Sequence, residues 1–260
     1  MAQTTRELKA LIFDVDGTLA ETERDGHRPA FNQAFADNGL DWQWSEALYG
    51  ELLEVSGGKE RIRAYVQQSQ PNFVLPDGFA DLADFIKHLH AVKTQHYKQF
   101  AQEGRIPLRP GVKRLLNEAR DKGIRLAIAT TTTPANVQAL LENTLGAESL
   151  SWFEVIAAGD MVPHKKPAPD IFEYALAHLN LPPENCLGFE DTNNGLLSAT
   201  QTGLKTIITV NDYTRQQDFS QATLVISDFG EPEQPFQVIA GDAKDAQYFD
   251  IALAQAICAA

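Results

Sequence analysis

The sequence of 260 residues predicts an α/β fold in which a doubly wound parallel sheet is interrupted by a long all-helical segment. From about residue 106 onward, short apolar runs alternate with helical patterns, as is typical of parallel strands joined by crossover helices. Between residues 19 and 105, apolar residues recur only at helical spacing. We therefore expect a core domain formed by residues 1–18 and 106–260 and a second, helical domain formed by residues 19–105.

The first strand is predicted at residues 8–15, where an apolar run leads into two aspartates. Four helices are then expected, and the first of them ends at Asn38-Gly39, a pair typical of a helix C-terminus. The remaining three are predicted around residues 48–53, 59–68 and 82–92.

After a return linker rich in proline and glycine at residues 105–111, strands and helices alternate regularly. Strands are predicted at residues 126–129, 155–158, 186–189, 206–210 and 223–226. Helices are predicted at residues 112–122, 134–145, 171–179 and 194–202. Residues 236–260 are expected to form a loop and a terminal helix, to which we assign no role.

Composition and charge exclude several classes of function. The net charge of −13 argues against a general nucleic-acid or anionic-membrane surface. Two cysteines indicate neither a disulfide framework nor a cysteine metal site, so we expect a reducing, cytoplasmic setting. Residues 1–10 lack the apolar core of a signal peptide, and the sequence has no apolar run of about 18 residues. We expect a monomer whose partner is a small molecule, with no nucleic-acid or membrane partner.

The first candidate site lies at the end of the first predicted strand. Asp14 and Asp16 are two residues apart, so their side chains leave a strand on the same side, and Gly17 lets the chain turn sharply. Two carboxylates held this close repel each other unless a cation lies between them, and oxygen ligands of this kind suit Mg²⁺. An isolated Asp-x-Asp-Gly is more typical of a surface strand that ends in a turn, so the downstream residues decide.

A run of threonines at residues 130–133 follows the strand predicted at residues 126–129. A hydroxyl and backbone N–H groups at a strand end are able to hold a phosphate oxygen without adding charge. Thr133 followed by Pro134 is typical of a helix N-cap and first helical residue. We therefore assign the phosphate contact to Thr130 and Thr131.

Lys166 is the third candidate, although lysine is more typical of a solvated surface. It lies next to Pro167 and before a helix that Asp170 is able to cap, where its ammonium would meet both a carboxylate and a phosphoryl oxygen. A phosphate monoester brings roughly two negative charges to the carboxylates, and Mg²⁺ together with Lys166 would supply three positive charges.

Glu190 and Asp191 are two adjacent acids that follow an apolar strand. One interpretation is that Asp191 or Asn193 caps the next helix. The other is that these carboxylates complete the metal site begun by Asp14 and Asp16. Both interpretations are compatible with this stretch of sequence.

Four motifs along the chain are Asp14-Val-Asp-Gly-Thr18, Thr130, Lys166-Pro167 and Glu190-Asp191. In order and spacing they resemble the four motifs of the haloacid dehalogenase-like hydrolases, and the resemblance extends to about residue 228. It implies a Rossmann-like core. It also implies that residues 19–105 are a helical cap, as in β-phosphoglucomutase and many sugar-phosphate phosphatases.

Several further segments resemble the CbbY-type phosphatases. They are Thr18-Leu-Ala-Glu-Thr-Glu23, His27-Arg28, Gly57-Gly-Lys-Glu-Arg61 and Ala157-Ala-Gly-Asp-Met161. This resemblance implies a phosphatase that converts xylulose 1,5-bisphosphate, an inhibitor of Rubisco, to xylulose 5-phosphate and phosphate. The residues by themselves indicate a phosphorylated metabolite. One departure is Asp25-Gly26, which makes the segment before His27 one residue longer than in the family.

The resemblance also implies residue roles. Asp14 would attack phosphorus to form an aspartyl phosphate, and Asp16 would act as general acid and then as general base. Thr130 and Lys166 would bind the transferring phosphoryl group. Mg²⁺ would be held by the carboxylate of Asp14, the backbone carbonyl of Asp16, the carboxylate of Asp191 and, through a water molecule, Glu190.

Polar residues of the predicted cap are candidates for substrate binding. Gly57-Gly58 precede Lys59 and Arg61 at a predicted helix start, which is typical of an anion site. This site would hold a second phosphate, away from the one that is cleaved. The full set of cap candidates is Glu23, His27, Tyr49, Lys59 and Arg61.

Three alternatives remain open at this point. One is a phosphosugar mutase of the β-phosphoglucomutase type. Another is a phosphatase of a different small metabolite, such as phosphoglycolate or a sugar monophosphate. The third is a catalytically silent binding module, against which the intact set Asp14, Asp16, Lys166 and Asp191 speaks.

Overall fold

The computed structural model describes residues 6–260. Residues 1–5 lie outside the described residues, and they include the start of the predicted core domain and half of the N-terminal segment that lacks a signal-peptide pattern. Seven strands form one sheet in the described chain. They are β1 (Ala10–Phe13), β2 (Arg125–Thr130), β3 (Phe153–Ala158), β4 (Cys186–Glu190), β5 (Lys205–Thr209), β6 (Leu224–Ile226) and β7 (Val238–Gly241). Their order is β3-β2-β1-β4-β5-β6-β7. Strands β1 to β6 are parallel and β7 is antiparallel to β6, which confirms the predicted α/β class.

Helices occupy both long intervals of the chain. Those between β1 and β2 are α1 (Arg28–Asp37), α2 (Glu46–Leu52), α3 (Gly58–Ser69), α4 (Leu82–Gln102) and α5 (Val112–Asp121), preceded by a π-helix at Glu23–His27. Those after β2 are α6 (Pro134–Leu145), α7 (Asp170–Leu179), α8 (Asn193–Thr200) and α9 (Ile251–Ala259), with 3₁₀ turns at Ala147–Trp152 and Pro183–Asn185.

The central strand β1 is buried on both faces, which explains its continuous apolar sequence. Leu11 and Phe13 pack into one hydrophobic layer, and Ala10 and Ile12 pack into the layer on the opposite face. Because β1 lies between β2 and β4, the carboxyl ends of these three parallel strands meet at one edge of the sheet. That edge is where ligands bind in open α/β sheets.

The segment at residues 19–105 contributes no strand to the sheet among the described residues. It has an aromatic core of its own, and the largest fully buried side chains of this core are Trp44, Tyr49, Phe31, Phe35 and Phe85. The two connections to the sheet region run side by side, because Ala20 pairs with Leu108 and the Glu21 N–H donates to the Pro107 carbonyl at 3.1 Å.

Two predictions of strands were wrong. The first strand is shorter than residues 8–15, because the chain turns after Val15, whose carbonyl accepts a hydrogen bond from the Leu19 N–H at 2.9 Å. Residues 236–260 contain the strand β7 in addition to the terminal helix α9. All residues of β7 are exposed, and its apolar run Val238-Ile-Ala-Gly241 is only four residues long, which is too short a pattern to predict a strand with the others.

The predicted helix cap at Asp170 was wrong, and so was the alternative interpretation in which Asp191 or Asn193 caps α8. Asp170 is the first residue of α7, and its carboxylate accepts a hydrogen bond from the His164 N–H at 3.2 Å. Thr192, and neither Asp191 nor Asn193, caps α8 by accepting from the Gly195 N–H at 3.0 Å. The predicted cap of α6 is confirmed, because Thr133 accepts from the Asn136 N–H and Pro134 follows.

Among the helices of residues 6–260, none combines the length and apolar character that a membrane crossing requires.

Candidate active site

Three carboxylates meet at the carboxyl ends of β1 and β4. Asp14 follows β1, Glu190 ends β4 and Asp191 comes next, and each offers an oxygen within 4.8 Å of the others. All three side chains are buried, with 6%, 1% and 3% of the residue surface exposed. Burial and the neighbouring carboxylates raise the pKa of Asp191 well above its ordinary value. The protein around the cluster therefore does not fully compensate the negative charge of the three carboxylates.

Lys166 supplies one compensating charge. Its ammonium donates to Asp14 at 2.6 Å, to the Ala129 carbonyl at 2.9 Å and to Glu190. Burial alone would lower the pKa of Lys166, but the two carboxylates raise it above its ordinary value. Burial still holds the pKa of Asp14 well above its ordinary value, although the ammonium opposes this effect. The three carboxylates, when ionised, carry two more negative charges than the ammonium of Lys166 balances. A divalent cation would balance this difference.

The donor set fits Mg²⁺, which is bound by oxygen ligands such as one or two carboxylates and otherwise keeps several waters. Gly17 has a positive φ of 79°, and a Cβ atom there would lie 2.1 Å from Asp191 Oδ2. Only glycine therefore allows the turn after Asp16 to approach Asp191 this closely. This contact explains why the motif needs glycine at that position.

The Asp16 side chain does not join the carboxylate cluster. It accepts a hydrogen bond from His27 Nε2 at 2.9 Å. The prediction that the Asp14 and Asp16 carboxylates converge on one cation was therefore wrong, and a metal contact by Asp16 stays a prediction for its backbone carbonyl. Burial would raise the pKa of Asp16, but the contacts with His27 and Thr22 lower it to about 2.

A buried lysine on α4 orients His27. Lys93 Nζ donates to His27 Nδ1 at 2.6 Å, so the ring proton resides on Nε2 and points at Asp16. The ammonium lies over the ring of Phe31 at 4.8 Å from its centroid. Sequence reasoning missed Lys93, and a charged residue on the apolar face of a helical pattern was the available signal.

The segment Glu23–His27, which contains Asp25-Gly26, forms a π-helix. A π-helix closes hydrogen bonds five residues apart, so it holds one more residue than an α-helical turn. In this conformation His27 faces Asp16 and stacks on Tyr97, with 4.4 Å between ring centroids. A Cβ atom at Gly26 would lie 2.7 Å from the Ile106 side chain, so glycine is needed inside this turn.

We expect Lys93→Met to change the pH dependence of stability. Burial lowers the pKa of Lys93 to about 8, so between that pH and about 10.5 the unfolded chain binds more protons than the folded chain. The free energy of unfolding of the wild type, relative to Lys93→Met, should therefore rise by about 3 kcal/mol between pH 7.5 and 10.5. Urea unfolding of the wild type and Lys93→Met over this pH range measures the difference.

Lys87→Met is the control, because Lys87 is exposed on the same helix. Its difference in free energy of unfolding from the wild type should not change with pH. A pH-independent difference for Lys93→Met would contradict the burial of the Lys93 charge.

Arg61, Tyr49 and Glu23 form a buried network in the helical segment. Arg61 donates to the Tyr49 hydroxyl at 2.8 Å and to the Leu52 carbonyl at 3.1 Å, and the Tyr49 hydroxyl donates to the Glu23 carboxylate. The predicted candidates thus lie together, but Tyr49 is enclosed behind Arg61 and Glu23 and lines neither cleft described below.

Lys59 pairs with Asp160, which lies just after β3. Lys165 pairs with the same carboxylate at 3.0 Å and with Glu60 at 3.2 Å. These ion pairs join the start of α3 to the sheet region beside the site. Lys59 was predicted as an anion contact, and no pattern in the sequence indicated that Asp160 is its carboxylate partner.

Two adjacent clefts share one wall, which is formed by Asp16, Glu23, Arg61 and Thr131. The carboxylate cleft is further lined by Asp14, Lys166, Glu190 and Asp191. The lysine cleft is further lined by Lys59, Lys93, Lys165, His90 and Thr132. Thr130 is fully buried and lines neither cleft, so its phosphate contact stays a prediction.

Comparison with known proteins gives the family. Residues 8–203 match the model of the haloacid dehalogenase-like hydrolases. The chain belongs to this family. It is a phosphatase, acting on phosphoric monoesters. The chain is 51% identical to Protein CbbY of Rhodobacter capsulatus over 85% of its own length and 94% of that protein. It is 45% identical to the plasmid Protein CbbY of Cupriavidus necator over 88% of each chain.

Solved structures of the family agree with this fold. The crystal structure of a CbbY variant from Rhodobacter sphaeroides in complex with xylulose 1,5-bisphosphate has a TM-score of 0.79 and 44% identity. The match covers 86% of this chain and 96% of that one. A β-phosphoglucomutase from Clostridium difficile, with a TM-score of 0.67 and 20% identity over 85% of this chain and 91% of that one, shares the fold.

Proposed function

We propose that this hydrolase is a Mg²⁺-dependent sugar-phosphate phosphatase that converts xylulose 1,5-bisphosphate to xylulose 5-phosphate and phosphate. The observation that carries the proposal is the pair of clefts with a shared wall. One cleft holds the carboxylate cluster, and the other is lined by three lysines, so a substrate with an anion at each end fits both. The bisphosphate in the Rhodobacter sphaeroides CbbY structure supports this choice of substrate.

The chemistry begins at Asp14. A carboxylate oxygen of Asp14 forms a bond to phosphorus as the bond from phosphorus to the sugar oxygen breaks. Lys166, at 2.6 Å from Asp14, stabilises the negative charge of the transferring group, and Thr131 at the shared wall contacts its oxygens. When bound by Asp14, Asp191, the backbone carbonyl of Asp16 and, through water, Glu190, Mg²⁺ supplies further positive charge beside the phosphoryl group.

Asp16 acts as the general acid and then as the general base. In the ligand-free protein its pKa is about 2, so it is ionised, and an arriving phosphate anion raises this pKa by like-charge repulsion. Asp16 then takes up a proton from solvent as the substrate binds, and it donates this proton to the departing sugar oxygen. It then takes a proton from the water that attacks phosphorus, and the bond to Asp14 breaks to release phosphate. The hydrogen bond from His27 keeps Asp16 in position for both steps.

Residues 19–105 act as a cap over a core formed by residues 1–18 and 106–260. The cap contributes Glu23, His27, Lys59 and Arg61 to the cleft walls, whereas the core contributes the carboxylate cluster. The paired connections at Ala20 and Leu108 are where the two parts join. Closure of such a cap excludes water until the nucleophile has reacted.

The lysine cleft holds the distal phosphate. Lys59 exchanges Asp160 for this phosphate, and Arg61 contributes its charge from the shared wall. His90 adds a neutral side chain, because burial and the nearby lysines lower its pKa to about 3. The remote anion thereby provides binding energy that favours cap closure.

Lys59→Ala should reduce kcat/KM for a bisphosphate by roughly tenfold or more, because a charge-assisted contact contributes about 1.5–3 kcal/mol. The loss for a matched monophosphate should be small, since that substrate never uses the contact. Arg61→Ala should show the same selectivity together with a loss of stability, because the guanidinium also supports Tyr49 and Leu52. Steady-state kinetics of both variants on the bisphosphate and on the matched monophosphate measures whether the loss of kcat/KM is selective. Equal losses on both would assign these residues to the fold of the cap.

A phosphate-release panel over mono- and bisphosphorylated sugars and phosphoglycolate, with Mg²⁺ present, tests the proposed function. We expect xylulose 1,5-bisphosphate to give the highest kcat/KM. Preference for phosphoglycolate or for a sugar monophosphate would contradict the bisphosphate assignment and would leave the lysine cleft without this role.

A further inference from the structure

Asn211 lies just after β5 and contacts Asp191 of the carboxylate cluster from a buried position, with 8% of its surface exposed. Its Nδ2 donates to Asp191 Oδ2 at 2.7 Å. A carboxylate oxygen accepts hydrogen bonds and donates none when ionised, so this contact also fixes which end of the carboxamide faces Asp191.

The other end of the same carboxamide holds a turn. Asn211 Oδ1 accepts from the Tyr213 N–H at 2.9 Å, and the Asn211 N–H donates to Thr214 Oγ1 at 3.1 Å. The Asn211 carbonyl accepts from the Thr214 N–H at 3.2 Å. Both ends of the side chain are therefore engaged, and it has no freedom to rotate away from Asp191.

The contact is also closely packed. A Cβ atom at Gly17 would lie 2.7 Å from Asn211 Nδ2 and 2.1 Å from Asp191 Oδ2. The turn after the nucleophile therefore packs directly on the Asp191–Asn211 pair. A change in the orientation of Asp191 would therefore displace Gly17. Asp14 lies three residues before Gly17 in the same turn region.

We propose that Asn211 is a positioning residue that orients the Asp191 carboxylate for the divalent cation, an inference that rests on the proposed function. With one oxygen held by Asn211, the other oxygen of Asp191 remains for the cation. An amide suits this task because it donates a hydrogen bond without adding positive charge. A lysine or arginine there would neutralise the carboxylate and would compete with the cation.

Mg²⁺ titration calorimetry on the full-length protein tests the proposal without relying on turnover. Asn211→Ala should bind Mg²⁺ about 10- to 100-fold more weakly than the wild type, the usual effect of losing a residue that orients a metal ligand. Thr214→Val is the matched control, because it removes a bond of the same turn and leaves the contact with Asp191 in place. Its Mg²⁺ affinity should stay within about twofold of wild type, while both variants lose some thermal stability.

Equal Mg²⁺ affinity of Asn211→Ala and wild type would overturn this inference alone, whereas a wild type that binds no Mg²⁺ would overturn the proposed function with it. A second measurement needs no variant at position 211 to fold. The side-chain amide ¹H–¹⁵N signals of Asn211 in the wild type should shift on addition of Mg²⁺ to saturation. Unshifted signals would overturn the positioning role.

Discussion

Replacing Asp14 by asparagine is expected to reduce phosphate release by roughly 10⁴-fold or more, the scale of losses when a nucleophile is removed. Asparagine keeps the shape of the side chain, but its amide oxygen is a poor nucleophile and cannot form the aspartyl phosphate. The fold should survive, because Lys166 retains its contacts with Glu190 and the Ala129 carbonyl. Phosphate release and thermal unfolding measure the two effects separately.

Asp242→Asn is the matched control for this substitution. Asp242 is exposed and pairs with Lys244 near the C-terminus, away from both clefts. Its variant should keep wild-type phosphate release. Activity of Asp14→Asn within tenfold of wild type would mean that phosphorus is attacked by a different group.

Lys166→Met should lower kcat/KM by roughly 10²- to 10³-fold, because preorganised charge facing the transferring group contributes about 2.7–4 kcal/mol. Methionine occupies a similar volume without charge. It would leave the buried carboxylates of Asp14 and Glu190 without their ammonium, so the Mg²⁺-free protein should also lose roughly 3–5 kcal/mol of stability.

The preceding residue provides the control for Lys166→Met. Lys165 pairs with Asp160 and Glu60 and does not touch the carboxylate cluster. Lys165→Met should leave kcat/KM for a monophosphate within a few-fold of wild type. Similar losses in both variants would indicate a general effect of positive charge near the clefts, without a specific contact to Asp14.

The sequence predicted those parts of the site that depend on local chain geometry. Asp14, Lys166, Glu190 and Asp191 follow or precede regular elements, and parallel strands bring their carboxyl ends to one edge. The helix at residues 134–145 was predicted with the bounds of α6, because Thr133 and Pro134 define its start chemically.

Features that depend on how separate elements pack were not predictable in this way. Lys93 faces His27 only because α4 lies against the π-helix, and 66 residues separate the two in sequence. Asp160 and Asn211 were missed for the same reason, since each acts on a residue from a different element. The direction of the Asp16 side chain depends on His27, so the spacing of Asp14 and Asp16 alone led to the wrong cluster.

The most direct test of the central claim is a ³¹P NMR time course of the enzyme with xylulose 1,5-bisphosphate. In the presence of Mg²⁺, we predict that the two substrate resonances are replaced by one phosphomonoester resonance and one resonance of inorganic phosphate in equal amounts. Excess chelator should stop the reaction. Conversion to an isomeric bisphosphate or monophosphate with little inorganic phosphate, or undiminished hydrolysis in chelator, would contradict a Mg²⁺-dependent phosphatase.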